Sequence, residues 1–358
     1  MNQFTDLDTP CVVIDEDRVE RNIQRFQAFC QQQRVQLRPH IKTHKLPYIA
    51  QKQLAAGASG ITCQKIGEAE VFADAGFDDI LLTFNIVGAP KLQRLLALAR
   101  RIRLTVVADS QTVVEGLART VADTDVELGV MVECDTGAGR CGVQTPAQAL
   151  QLAEMIQASR GLTFRGLMTY PKAFSEPKVE AWYRAAQGLF NQHDLPVPCF
   201  SSGGTPSMWH LAQAPMVTEY RIGTYVYQDR SQISAGACTA EDCALHVLAT
   251  VVSVPVAGRV IIDAGSKALT SDLLGLDGYG QVVGYPQARV VGLSEEHGTL
   301  DTTACVQQPQ IGDQLLLLPN HACPVSNLFD EVYFYRRDGQ GEARVERCER
   351  VAARGKVA

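Results

Sequence analysis

The stretch Arg38-Pro39-His40-Ile41-Lys42-Thr43-His44-Lys45 places five potentially charged side chains within eight positions. A lysine crowded by Arg38, His40 and Lys45 and partly withdrawn from water presents a neutral amine more readily, and a neutral amine attacks an aldehyde. Schiff-base chemistry is therefore open to Lys42, although the same residues would also build a solvated basic turn. Ser202-Gly203-Gly204-Thr205-Pro206 and Arg221-Ile222-Gly223-Thr224-Tyr225 offer a second chemistry. Gly203 and Gly204 allow close backbone approach, Thr205 adds a hydroxyl and Pro206 suits the first turn of a helix, with Gly223, Thr224 and Tyr225 closing the other side. The two stretches read as a phosphate cradle or as plain turns. In Glu133–Gly142 three glycines carry Asp135 and Arg140. Arg140 suits an anionic substrate or an aromatic ring nitrogen, or an ion pair with Asp135 that braces the loop. Tyr170 suits stacking on a cofactor, hydrogen bonding to it, or capping the core. His321 and Cys323, separated by one residue, would share a face if they lay on a strand, and imidazole with thiolate suits Zn²⁺ or a similar divalent ion. Two protein ligands leave positions open for water and substrate. Ser294–Gly298 adds His297, with Glu295 and Glu296 as partners for acid–base work or as parts of a surface turn.

These groups need elements to position them. Apolar, β-rich runs at 35–40, 59–62, 79–84, 103–108, 127–134, 162–170, 197–202 and 217–223 alternate with amphipathic helical stretches. Eight strands with seven helical connectors predict an α/β fold, a (β/α)₈ TIM-like barrel, with an open doubly wound sheet as the alternative. Lys42, Gly142, Tyr170, Gly203 and Gly223 then all follow strand C-terminal ends, the face that carries catalysis in such barrels. From about residue 240 the strands are separated by Gly, Pro and Asn turns without long helices, which predicts a second, mostly antiparallel β domain. The expected division is 1–20 as an N-terminal strand joined to the β domain, 21–235 as the barrel and 236–358 as the β domain.

The formal net charge is −6, so nucleic acid is excluded as the expected partner, and no apolar run is long enough to span a bilayer. The N-terminus lacks a basic segment followed by an apolar one. Eleven cysteines without framework spacing fit reduced thiols, and a cytoplasmic enzyme is expected.

Taken together, LDTPCVVID, RPHIKTHK, GITCQKIGEAEVFADAG, ECDTGAGRCG, SGGTP, TEYRIGTYVYQD, DAGSK, SEEHG and PNHACPVSNLFD resemble the fold-type III, alanine-racemase-like pyridoxal 5′-phosphate enzymes. Within them the chain is similar to the D-threonine aldolase and D-serine dehydratase-like group. The resemblance implies that Lys42, not Lys45, carries the cofactor. It implies that His40, Gln64, Arg140, Tyr170, Ser202, Gly203, Gly204, Thr205, Gly223, Thr224 and Tyr225 surround that cofactor. It further implies that His321 and Cys323 bind a divalent metal (Zn, Mn or similar), that the substrate is a small β-hydroxy D-amino acid, and that the protein is a homodimer. Two reactions follow. Retro-aldol cleavage would give glycine and an aldehyde, whereas β-elimination would give a 2-oxo acid and ammonia. Cys323 resembles the dehydratases, because the aldolases compared carry aspartate there. Pro171 stands where D-threonine aldolases often have histidine, so the replacement base would be His297, a metal-bound hydroxide or another group. A non-catalytic cofactor carrier is the remaining alternative, and the β domain with its metal pair argues against it.

Overall fold

The computed structural model describes Phe4 and residues 6–358. The chain forms two compact units, one of residues 25–42, 47–223 and 355–358, the other of residues 1–24, 43–46 and 224–354. The change of unit falls between Gly223 and Thr224, ahead of the 235/236 division drawn from sequence.

The first strand of the chain is β1 (Cys11–Asp15), and the next eight build the larger unit. These are β2 (Gln36–Leu37), β3 (Ile61–Cys63), β4 (Asp79–Asn85), β5 (Arg103–Ala108), β6 (Leu128–Cys134), β7 (Leu162–Thr169), β8 (Phe200–Ser202) and β9 (Glu219–Tyr220). Every pairing is parallel, in the order β2-β9-β8-β7-β6-β5-β4-β3. A parallel bridge between His40 and Thr62 joins the two ends of that order, so the sheet curls into a TIM-like barrel. Strand β2 stops short of residue 40 because Pro39 has no N–H to donate, yet its carbonyl still accepts the Thr62 N–H at 2.7 Å. Leu81, Val107, Met131 and Met168 pack together as one buried cluster of the barrel. Six amphipathic α-helices connect the strands, and the last connector is a kinked 3₁₀ helix, Thr205–Gln213.

In the second unit β1 lies between Leu245–Val256, which it pairs antiparallel, and Glu331–Arg337, which it pairs parallel. The resulting nine-stranded sheet is otherwise antiparallel. Two short helices, Ser266–Leu269 and Ala322–Leu328, interrupt it.

His246 pairs with Val13 in this sheet, and burial pushes its imidazole down to about 3 from the ordinary 6.5, with Arg18 adding to the effect. The unfolded chain takes up a proton near pH 6.5 that folded His246 refuses, so stability present above that pH is lost as pH falls toward 3. At pH 5 the loss amounts to about 2 kcal/mol. Urea unfolding at pH 7 and pH 5 checks this: His246→Leu should lose that part of the acid sensitivity, and an unchanged difference would contradict the assignment.

Candidate active site

Lys42 sits in a single 3₁₀ turn, Ile41–Thr43, immediately after the His40 bridge. Its backbone N–H donates to His40 Nδ1 at 3.3 Å. His40 Nδ1 therefore acts as an acceptor, which assigns the ring proton to Nε2, 3.0 Å from Gln64 Oε1. Gln64 is fixed in turn, since its Nε2 donates to the Thr83 carbonyl at 2.8 Å. The Lys42 ammonium has no hydrogen bond or ion pair among the described residues. Lys45 differs: it is buried, and its Nζ donates to Asn327 Oδ1 at 2.9 Å. Arg38, expected to crowd Lys42, instead forms ion pairs with Glu219 at 2.7 Å and Asp79 at 2.8 Å.

At the end of β8, Ser202 is buried and its carbonyl accepts the Arg221 N–H at 2.8 Å. Gly203 follows at φ +146°, where a Cβ would stand 2.2 Å from the Arg221 carbonyl oxygen. Gly204 faces open space, with only Pro206 Cδ as near as 4.0 Å to a Cβ built there. Thr205 then opens the 3₁₀ helix with Pro206 in its first turn. A glycine that must pack on backbone, next to one that leaves a gap in front of a helix start, makes a cradle suited to an anion. Gly203→Ala is expected to destabilise the protein by about 2–3 kcal/mol, a loss that thermal or urea unfolding would register. Gly204→Ala should be much milder.

In the glycine loop after β6 the Arg–Asp brace, one of the two readings of Arg140, does not form. Asp135 accepts the N–H groups of Gly137 and Gly139 at 2.8 and 3.1 Å, which hold its carboxyl below the usual range against the effect of burial. Arg140 lies over the Tyr170 ring instead, 4.7 Å from its centroid. Tyr170 is 41% exposed and caps no core. Burial pushes the Glu133 carboxyl up to about 6, opposed by Arg140 and reinforced by Asp109.

His321 and Cys323 do not lie on a strand. The helix Ala322–Leu328 starts between them, with His321 as its N-cap residue in extended conformation and Cys323 in the first turn. Buried Asp229 causes this: its Oδ2 accepts the Ala322 N–H at 2.9 Å and satisfies the helix start. His321 Nδ1 is 2.8 Å from Asp272 Oδ2, while Thr43 Oγ1 and Thr224 Oγ1 lie 3.1 and 3.4 Å from Cys323 Sγ. Burial disfavours the charged imidazole of His321, but Cys323 and Asp272 outweigh it and raise its value to about 9. A carboxylate on one ring nitrogen leaves the other free to ligate, and nitrogen with sulfur is a zinc-type donor set. Sequence reading missed Asp229 and Asp272, which stand 92 and 49 residues from the His321–Cys323 segment they serve; only burial and pairing reveal them.

Gly223 ends the segment after β9, whereas Thr224 and Tyr225 begin the turn Thr224–Val226, where Tyr225 is buried. His297 is exposed in the turn between the strands Arg289–Leu293 and Gly298–Asp301. Glu295 and Glu296, read as partners for His297 or as parts of a surface turn, are paired with Lys267 at 2.9 and 2.7 Å.

Residues 14–231 match the family model for the alanine racemase N-terminal domain, and residues 244–335 match a serine dehydratase domain. The D-threonine aldolase of Arthrobacter sp. is 34% identical over 98% of this chain and 93% of its own length. The D-threo-3-hydroxyaspartate dehydratase of Delftia sp. HT23 is 36% identical over 93% of this chain and 95% of its own length. That dehydratase has also been solved with a histidine and, two positions later, a cysteine separately replaced by alanine, the cysteine variant in a metal-free form. The crystal structure of D-threonine aldolase from Filomicrobium marinum superposes with a TM-score of 0.89 at 30% identity, covering 99% of this chain and 97% of that one. Among the described residues no helix is long and apolar enough to cross a membrane. The chain belongs to the fold-type III, alanine-racemase-like pyridoxal 5′-phosphate enzymes, in their D-threonine aldolase and D-serine dehydratase-like group.

Proposed function

We propose that the protein is a pyridoxal 5′-phosphate- and divalent-metal-dependent lyase that splits β-hydroxy D-amino acids between Cα and Cβ, giving glycine and an aldehyde. The observation that carries this reading is the contrast within RPHIKTHK. Lys42 has an uncommitted amine while Lys45 is held by Asn327, in a chain that matches a D-threonine aldolase over 98% of its length.

The residues present fit both groups. An uncommitted lysine suits the cofactor aldehyde, and the gap before Gly204 suits its phosphate, with Ser202, Thr205, Gly223, Thr224 and Tyr225 completing that set. His40, Gln64, Arg140 and Tyr170 would line the ring. His321 and Cys323 would hold the metal. When bound, the cofactor supplies an electron sink for charge left on Cα, and the metal supplies a Lewis acid for the β-oxygen.

The chain's own groups do the rest. His40 accepts the Lys42 amide N–H and so fixes the turn that aims the amine. Lys42 Nζ, uncommitted to any other group, would hold and return the proton at Cα. Asp272 holds His321 Nδ1 and sets Nε2 as the donor, and Thr43 and Thr224 fix the Cys323 sulfur. The β-hydroxyl needs a proton acceptor, and Pro171 has none to offer, so His297 is assigned that task. His297→Ala is expected to lower kcat by about 10²-fold with little change in KM, read from initial rates.

A second reading rests on Cys323. A cysteine two positions after a histidine also occurs in the dehydratase, whose cysteine variant was solved without metal. Loss of the hydroxyl instead of Cα–Cβ cleavage would then give a 2-oxo acid and ammonia. The first test supplies D-threonine and L-threonine to protein loaded with cofactor and Mn²⁺ or Zn²⁺. Glycine from the D-isomer alone, stopped by chelator, supports the proposal, while turnover insensitive to chelator would refute its metal requirement. We also assign the protein to the cytoplasm as a homodimer. Its eleven cysteines are all free thiols, and light scattering should give twice the 39.0 kDa chain mass.

A further inference from the structure

A second set of metal-type ligands stands at the C-terminal ends of β5 and β6, and the proposed reaction leaves it unused. Asp109 follows β5, Glu133 lies near the end of β6, and Cys141 is in the glycine loop beyond. One carboxylate oxygen from each acid and the Cys141 sulfur all lie within 4.8 Å of one another. Acidic groups in proximity would not by themselves mark a site, but two further features do.

Glu133 is only 5% exposed, and its carboxylate takes part in no hydrogen bond or ion pair among the described residues. It opens on a pocket of about 190 Å³ shared with Gln64, Thr83, Asn85, Arg140 and Cys141. Asn85 Oδ1, on the same pocket, is buried and has no hydrogen-bond partner either. Two residues with an unpartnered acceptor therefore line one pocket, beside a second carboxylate and a thiol. Buried acceptors left in that state carry a desolvation cost that a cation would relieve. Of the arginines nearby, Arg221 is committed to Ser201 Oγ and the Thr169 carbonyl at 2.7 and 2.6 Å. Arg140 stacks on Tyr170, 4.7 Å from its ring centroid.

We propose that Asp109, Glu133 and Cys141 bind a thiophilic divalent cation of the zinc class, at a site separate from His321 and Cys323. Carboxylate oxygen and thiolate sulfur are each zinc donors, at bond lengths of about 2.0–2.2 Å to oxygen and 2.3 Å to sulfur. Cys141 is exposed on a loop with positive φ at Gly137, Gly139 and Gly142, so its sulfur has room to close the remaining spread. On binding, the Cys141 S–H bond breaks, a sulfur–metal bond forms and the proton leaves to solvent, with no change of oxidation state. The ion would pin the loop to the barrel rim, where the Gly142 N–H already donates to Asp109 Oδ2 at 3.1 Å.

The test uses the full-length, cofactor-loaded chain carrying Cys323→Ala, which removes the thiolate of the other site. Co²⁺ is titrated in, and difference spectra are taken against the Zn²⁺-loaded form. The expected result is a thiolate-to-cobalt charge-transfer band that saturates at one equivalent. Adding Cys141→Ser should remove it, and adding Glu133→Gln should weaken Co²⁺ affinity by about 10–100-fold. Absence of the band in Cys323→Ala, or its survival in Cys323→Ala with Cys141→Ser, would overturn the proposal. Because Cys323 is absent throughout, failure of the His321–Cys323 assignment would not produce either outcome.

Discussion

Lys42→Ala is expected to abolish the near-visible absorbance of the bound cofactor and to lower turnover by about 10³-fold or more. The size follows from two losses at one atom, the covalent hold on the cofactor and the group placed to move the Cα proton. Lys45→Ala should keep the absorbance, because its Nζ is spent on Asn327 Oδ1 at 2.9 Å and its backbone carbonyl accepts the Ala353 N–H at 3.2 Å. Lys45 is thus a structural tie within its own unit, and its loss should appear in unfolding curves more than in spectra. Both spectra and single-turnover rates decide the matter. An absorbance that survives Lys42→Ala and vanishes in Lys45→Ala would reverse the lysine assignment.

The largest expected effect on stability is at Arg38. Its guanidinium is 13% exposed and bridges Asp79 and Glu219 at the N-terminal end of the barrel, tying β2 to both β4 and β9. Burial opposes the charged form of Arg38, but the two carboxylates outweigh it and hold the guanidinium firmly protonated. Glu219 also accepts from Ser201 Oγ at 2.7 Å, and that hydroxyl accepts from Arg221. Removing Arg38 leaves two largely buried carboxylates without their shared cation, a change that costs about 3–5 kcal/mol in comparable buried pairs. Arg38→Ala should therefore lower the urea midpoint strongly while any folded fraction retains the cofactor spectrum. A loss confined to the spectrum, with stability intact, would instead return Arg38 to the role of tuning Lys42.

The barrel was legible because its strands are buried on both faces and read as short apolar runs, as in Leu128–Cys134, where every residue is buried. The closing contact was less visible, since it runs through a two-residue strand and a single bridge at His40. In the β unit, Leu245–Val256 and Glu331–Arg337 announced themselves, but Ala343–Arg350 did not. That strand has no fully buried residue and carries charges on both faces, so it has no apolar alternation to detect. The site followed the same rule. Glycines at 203 and 204 and the isolated Lys42 could be found from residue type and place along the barrel. His321 and Cys323 were found as types but placed on the wrong element, because the helix start depends on Asp229, remote in sequence. Arg38 was misread for a related reason, since its partners Asp79 and Glu219 are brought to it only by barrel closure.

The central claim is the choice of bond, and product balance tests it most directly. Protein loaded with pyridoxal 5′-phosphate and Mn²⁺ or Zn²⁺ is given D-threonine, D-serine and D-3-hydroxyaspartate in turn, and glycine and ammonia are measured in each reaction. One glycine per substrate consumed is expected from D-threonine, with acetaldehyde and no ammonia. Ammonia and a 2-oxo acid in equal amounts, without glycine, would contradict it and establish the elimination.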